Sequence, residues 1–139
     1  MEGILKNENV RILRFDKGEE VISSLVSYCQ KKKIPAGHFT ALGGCQKVII
    51  SHYDLYEKKY LDRVIEEGLE IIGITGNIAQ MKNKHIVHAH GSFAGKDFKV
   101  LGGHIKELIV SATCEVHLTA LSEKIERGFH EETGLNLLK

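Results

Sequence analysis

Proline occurs once in the chain, at Pro35, and cysteine three times, at Cys29, Cys45 and Cys114. The odd count, the wide spacing and the lack of a Cys-x-x-Cys pair argue against a disulfide framework and a thiolate zinc site, and predict buried free thiols. Excess charge of one sign is also missing. Nineteen basic residues face 18 acidic ones, for a formal net charge of +1 with neutral histidines, so no global field draws polyanions. No apolar run approaches the roughly 18 residues of a membrane span. The N-terminal MEGILKNENVRILRF has no basic region followed by an apolar signal core. These absences predict a soluble, cytoplasmic protein without a membrane partner. No Gly-x-Ser-x-Gly elbow, Walker loop, dinucleotide fingerprint or His-Glu-x-x-His helix is present, so no motif of these kinds marks an enzyme. Repeats, low-complexity tracts and long linkers are lacking too. With 139 residues, 42% of them hydrophobic, one domain over 1–139 is expected.

What is present is mostly strand. Residues 10–15 (VRILRF) read as a strand. Asp16 followed by Glu19 resembles a capping box opening a helix over 17–32, in which Val21, Ile22, Leu25, Val26 and Cys29 form an apolar stripe. Lys31, Lys32 and Lys33 fall at its C-terminal end, where the helix dipole favours cations. After IPAGHF the period changes from 3.6 to 2. Candidate strands follow at 39–45, 47–56, 60–66, 69–79, 85–93, 98–105 and 109–121, separated by turn residues such as Gly43-Gly44, Lys82-Asn83 and Gly95-Lys96-Asp97. The tail 122–139 suggests a turn and a short terminal strand. The fold class expected is α+β: a curved, largely antiparallel sheet with one main helix packed against it.

Chemistry concentrates in HIVHAHGSFAGKDFKVLGGHI, residues 85–105. In a strand, Ile86, His88, His90 and Ser92 share a face, and Cα atoms two residues apart lie roughly 6.6–6.8 Å apart. Two such imidazoles can converge on one metal ion. If Gly95-Lys96-Asp97 is a three-residue loop, Ala94 pairs with Phe98, His104 lies opposite His88, and Gly102 lies opposite His90. Three histidines then share a face. A two-residue loop would instead pair His104 with Val87 and turn it away, and a bulge at Gly102-Gly103 would shift parity again. Neutral imidazoles suit zinc above all, and also nickel, copper or iron.

The segments VRILRFDKGEE, EGLEIIGITGNIA, HIVHAHGSF and VLGGHIKELIVSATCEVHLTAL occur in the order and spacing of a known family. The chain resembles the PPC (plants and prokaryotes conserved) domain family along nearly its whole length. The resemblance implies a curved antiparallel sheet, a homotrimer, and prokaryotic members made of the domain alone. It also implies a metal held by His88, His90 and His104. Plant members carry an AT-hook of the Arg-Gly-Arg-Pro type ahead of the domain, and prokaryotic members are commonly labelled DNA-binding by that association. With Pro35 as the sole proline, no such hook exists here.

Three functions are therefore carried forward. The first is a trimeric metal-binding module, zinc being the expected ion, that serves assembly or holds a small molecule at the metal. The second is weak, salt-dependent DNA binding through lysines including Lys31, Lys32 and Lys33. The third is a metal-dependent hydrolase or lyase, which lacks an assigned general base. Glu70 and Glu115 are candidates to hydrogen-bond the unused ring nitrogen of a ligand histidine. Gly102 and Gly103 would leave a side-chain-free surface beside the imidazoles. His52 and His117 read as strand-face residues, and His38, His85 and His130 as water-contacting residues near turns.

Overall fold

The computed structural model describes residues 1–139. In chain order the elements are β1 (Glu2–Lys6), β2 (Val10–Asp16), α1 (Val21–Lys32), β3 (Ala36–Asp54), β4 (Lys59–Ile65), β5 (Leu69–Met81), β6 (Lys84–Ala94), β7 (Val100–Leu121), β8 (Arg127–His130) and β9 (Leu135–Leu138). Seven strands form a sheet in the order β1-β2-β7-β6-β5-β3-β4, and β7 also pairs with β3. The ladders β3–β5, β5–β6, β6–β7 and β7–β3 are all antiparallel and together close a ring. The sheet is therefore strongly curved, with one helix, as the period-2 pattern and the family resemblance predict.

Curvature lets one face of every long strand meet in a common interior. Phe15, Phe39, Phe93, Ile78, Leu108 and Val116 are fully buried there. Helix α1 adds Val21, Leu25 and Cys29 to the same cluster of 24 buried residues. Burial of apolar area on this scale is the main stabilising term, at roughly 25 cal/mol per Å² removed from water. No helix is long and apolar enough to cross a membrane.

Several boundaries differ from the sequence reading for local reasons. The helix starts at Val21, not at 17, because Glu20 is its N-cap. The Glu20 carboxylate accepts from the Ile22 and Ser23 amides at 2.9 and 2.6 Å, and from the Leu108 amide of β7 at 3.1 Å. One side chain thus satisfies two free N–H groups of the helix and ties it to the sheet. The Asp16–Glu19 contact does form, with Glu19 accepting from the Asp16 amide at 2.8 Å, but in the turn before the helix.

The segments 39–45 and 47–56 are parts of one strand, β3, and 98–105 and 109–121 belong largely to β7. Gly43-Gly44 bends the strand without ending it. Gly43 has φ +141, a region that favours glycine, and a Cβ there would collide with the Thr113 carbonyl of β7. Strand β1 escapes prediction because all five of its residues are exposed and no alternation marks it. The tail forms two short strands, the hairpin β8–β9. It is anchored by the Gln80 amide donating to the Ile125 carbonyl at 2.8 Å and the Tyr53 hydroxyl donating to the Thr133 carbonyl at 2.7 Å.

Candidate metal centre

His88 and His90 stand on β6, and His104 on β7. The register pairs His90 with His104, Ser92 with Gly102, and Ala94 with Val100. The expected pairs His88–His104 and His90–Gly102 are therefore corrected. The hairpin loop spans Gly95 to Lys99, not three residues, because the Phe98 amide donates to the Gly95 carbonyl and Phe98 takes φ 61. A residue held in that left-handed turn conformation cannot begin a strand. The added two residues move the register by two, which preserves the face of every side chain. His104 stays on the side of β6 that carries His88 and His90.

On the reverse side of β6, Ala89 and Phe93 are buried in the core. That apolar alternation fixes which way the histidines point. The three ring centroids are 5.1, 5.1 and 5.5 Å apart, and one ligating nitrogen from each ring lies within 4.8 Å of the others. His88 and His104 are half-buried and His90 is exposed. At the same level β7 is flanked on its other side by β3, where His104 pairs with Ser51. Gly102 and Gly103 permit this close passage. A Cβ at Gly102 would strike the Gly91 carbonyl, and one at Gly103 would lie 2.8 Å from the Ser51 carbonyl oxygen. Both glycines line, with His90 and Glu115, a cleft of about 670 Å³.

Electrostatics keeps two of these rings neutral. Burial, reinforced by His88, His90 and Lys106, pushes His104 down to about 4, with Asp62 opposing. His88 is lowered by burial first, then by the Arg127 guanidinium and by His90. Desolvation disfavours the imidazolium in both cases. Nδ1 of His104 is buried with no hydrogen-bond partner. Arg127 Nη2 donates to His88 Nδ1 at 3.3 Å and to Asn77 Oδ1 at 2.7 Å. Behind His104, the Tyr60 ring packs at 5.1 Å, and Asp62 is held by Lys106 at 2.7 Å and by the Ser51 hydroxyl at 2.8 Å.

Other candidate residues take different places. Glu70 is exposed on β5, opposite Ala94 and Gly44. His88 Nδ1 is met by Arg127 and His104 Nδ1 by no partner, so within the chain neither nitrogen is held by Glu70 or Glu115. Lys31, Lys32 and Lys33 are exposed at the end of α1, where Lys33 is the left-handed C-cap. Lys32 and Lys33 border a separate cleft with Arg11. His85 does not simply face water: its Nε2 donates to the Ile34 carbonyl at 2.7 Å. Sequence reasoning missed Arg127, Tyr60, Asp62 and Ser51. Arg127 lies in the tail that carried no clear pattern, and Ser51 is the one buried polar residue of the chain.

Three imidazoles converging on the polar face of a closed antiparallel sheet define a candidate metal-binding domain of the histidine type. Residues 4–122 match the Plants and Prokaryotes Conserved (PCC) domain, and the chain belongs to that family. A Bacteroides thetaiotaomicron protein whose description suggests DNA binding is similar over 97% of this chain and 94% of its own, at 27% identity and a TM-score of 0.94. The metal-containing protein AF0104 from Archaeoglobus fulgidus is 31% identical, with 100% of this chain and 99% of that one covered and a TM-score of 0.87. At the level of fold alone, acetolactate decarboxylase from Bacillus subtilis subspecies spizizenii shares 84% of this chain and 54% of its own length, at 15% identity and a TM-score of 0.54. No curated protein matches the chain.

Proposed function

We propose that the protein is a metal-binding module in which His88, His90 and His104 hold one divalent transition-metal ion, zinc, within a homotrimer. The observation that carries this reading is the convergence of three ring nitrogens within 4.8 Å of one another. The residues fit such an ion in a second respect. The orphaned Nδ1 of His104 is a buried acceptor or donor that nothing in the chain satisfies, and buried polar groups ordinarily find a partner. Three nitrogen donors suit zinc, which in three-ligand sites keeps a further coordination position for water or a ligand and acts there as a Lewis acid. His88 and His90 supply a fixed pair from one strand, and His104 supplies the third donor across the ladder. Glu115 lines the same cleft as His90, without a hydrogen bond to any of the three rings.

Exposed apolar side chains support the trimer. Leu42, Leu61, Val64 and Ile72 are 54, 50, 55 and 57% exposed. Leu42 and Ile72 line the same cleft as His90, so subunit contact there would also shield the site.

The test is a competition titration of metal-stripped protein with a chromogenic zinc chelator, with light scattering on the same sample. Wild type should take one zinc per chain and scatter as a trimer. His104→Ala and His88→Ala should lose stoichiometric uptake while the circular dichroism of the sheet persists. Equal zinc uptake by His104→Ala would sink the assignment.

A second reading, DNA binding, is favoured by the description of the Bacteroides relative and by the exposed Lys31, Lys32 and Lys33. It expects weak duplex retention at low salt that disappears when the three lysines become glutamate. Retention equal to wild type in that triple variant removes these lysines from the reading.

A further inference from the structure

A cavity of about 370 Å³ lies between the hairpin β8–β9 and the histidine cluster. His88 and His104 line it, and Arg127, Lys58, Asn136, Tyr53 and Tyr60 contribute its other polar side chains. No aspartate or glutamate lines it. Both cations are bonded only to neutral groups. Arg127 donates to Asn77 Oδ1, the Asn136 carbonyl and His88 Nδ1, and Lys58 Nζ donates to the Glu131 carbonyl. Arg127 Nε is buried and has no partner. A half-buried guanidinium without a carboxylate is unusual, because burying a charge costs heavily unless it is paired. The nearby Asp62 carboxylate is engaged by Lys106 at 2.7 Å.

We propose that this cavity binds a small organic carboxylate, with Arg127 as its principal charge partner and with Lys58, His88 and His104 in the same lining. The inference deepens the metal reading and rests on it for the release of Arg127 from His88 and for the ligand's second point of attachment. Arg127 and a metal ion compete for His88. An ion bound through Nδ1 must displace the guanidinium. One bound through Nε2 leaves an N–H on Nδ1 facing the arginine N–H. Either way Arg127 is released beside a dication, and the added positive charge calls for an anion between them. A planar guanidinium with an unused N–H matches a carboxylate. The cavity's size and its apolar wall, which includes Leu135 and Leu137, fit an organic acid better than a bare inorganic anion. Arg127 and both leucines lie beyond residue 122, where the family match ends. The proposed ligand is thus held by the tail as well as by the sheet that carries the histidines.

The test uses the full chain, zinc-loaded and metal-stripped, titrated with lactate and followed by ligand-observed NMR, with lactamide and inorganic phosphate as comparators. Zinc-loaded wild type should bind lactate about tenfold or more tightly than lactamide, as expected for a charge-assisted hydrogen bond. Arg127→Gln should lose a similar factor with its zinc content unchanged, and Arg127→Lys, which keeps the cation, should recover part of it. Equal binding of lactate and lactamide, an unchanged Arg127→Gln, or tighter binding of phosphate than of lactate would each overturn the proposal. If Arg127→Gln does not fold by circular dichroism, Arg127→Lys carries the test through a reduced affinity. Zinc retained without lactate uptake defeats the carboxylate site alone. Lactate uptake that depends on Arg127 in a protein that retains no zinc defeats the metal reading alone.

Discussion

Three cysteines and three histidines, all potential metal ligands, occupy two regions of this molecule, and burial has opposite consequences for them. Cys29, Cys45 and Cys114 sit in the core at no measurable exposure. Desolvation pushes their thiols up, to about 11, 11 and 12. His88 and His104 are half-buried on the polar face, and desolvation pushes them down. In both regions the low-dielectric surroundings favour the neutral form. A neutral thiol is a poor ligand, whereas a neutral imidazole is the ligand form. Burial therefore silences the cysteines and holds His88 and His104 in the neutral form that a metal ion requires.

The largest expected effect breaks this comparison directly. His104→Ala should abolish zinc uptake and Cys45→Ala should leave it at one ion per chain, both read by equilibrium dialysis and elemental analysis. Zinc lost in the cysteine variant would place thiolate chemistry where none is argued. Next in size is the anchor on the reverse of β6. Phe93→Ala removes a fully buried ring and should cost about 3–5 kcal/mol in urea unfolding. A loss much smaller than that would mean that β6 is not held by its core face.

The smallest effect concerns the thiols themselves. They should resist an aromatic disulfide reagent at pH 8 in the folded protein and react when urea exposes them. Because the folded-state values lie above the ordinary 9.0, the thiols' contribution to stability is fully present below about 9. It is lost as pH rises through about 11 to 12, since only the unfolded chain ionises them readily. Stability that held level to pH 11 would contradict their burial.

Much of this was legible in the sequence because it rests on alternation. The period-2 runs of β5, β6 and β7 placed His88, His90 and His104 on one face, since apolar partners such as Ala89 and Phe93 had to face the core. Register was harder to read. Whether Gly95-Lys96-Asp97 forms the whole loop depends on Phe98 entering a left-handed turn, which nothing in its residue type announces. The error was even, so the face survived while the individual pairs changed. The continuity of β3 through Gly43-Gly44 was hidden for a related reason, because a glycine pair marks a bulge as readily as a turn. Arg127 and the cavity it serves depend on a hairpin folding back across β5. Contacts between residues 50 positions apart in the chain, such as Arg127 to Asn77, leave no local pattern to read.

The most direct measurement is elemental analysis of untagged protein by inductively coupled plasma mass spectrometry, since a polyhistidine tag would bring its own metal. About one transition-metal ion per chain, predominantly zinc, in wild type and none in His104→Ala is the result expected of a site built by His88, His90 and His104. Wild-type protein that neither carries metal on isolation nor takes it up on dialysis against zinc would contradict that site.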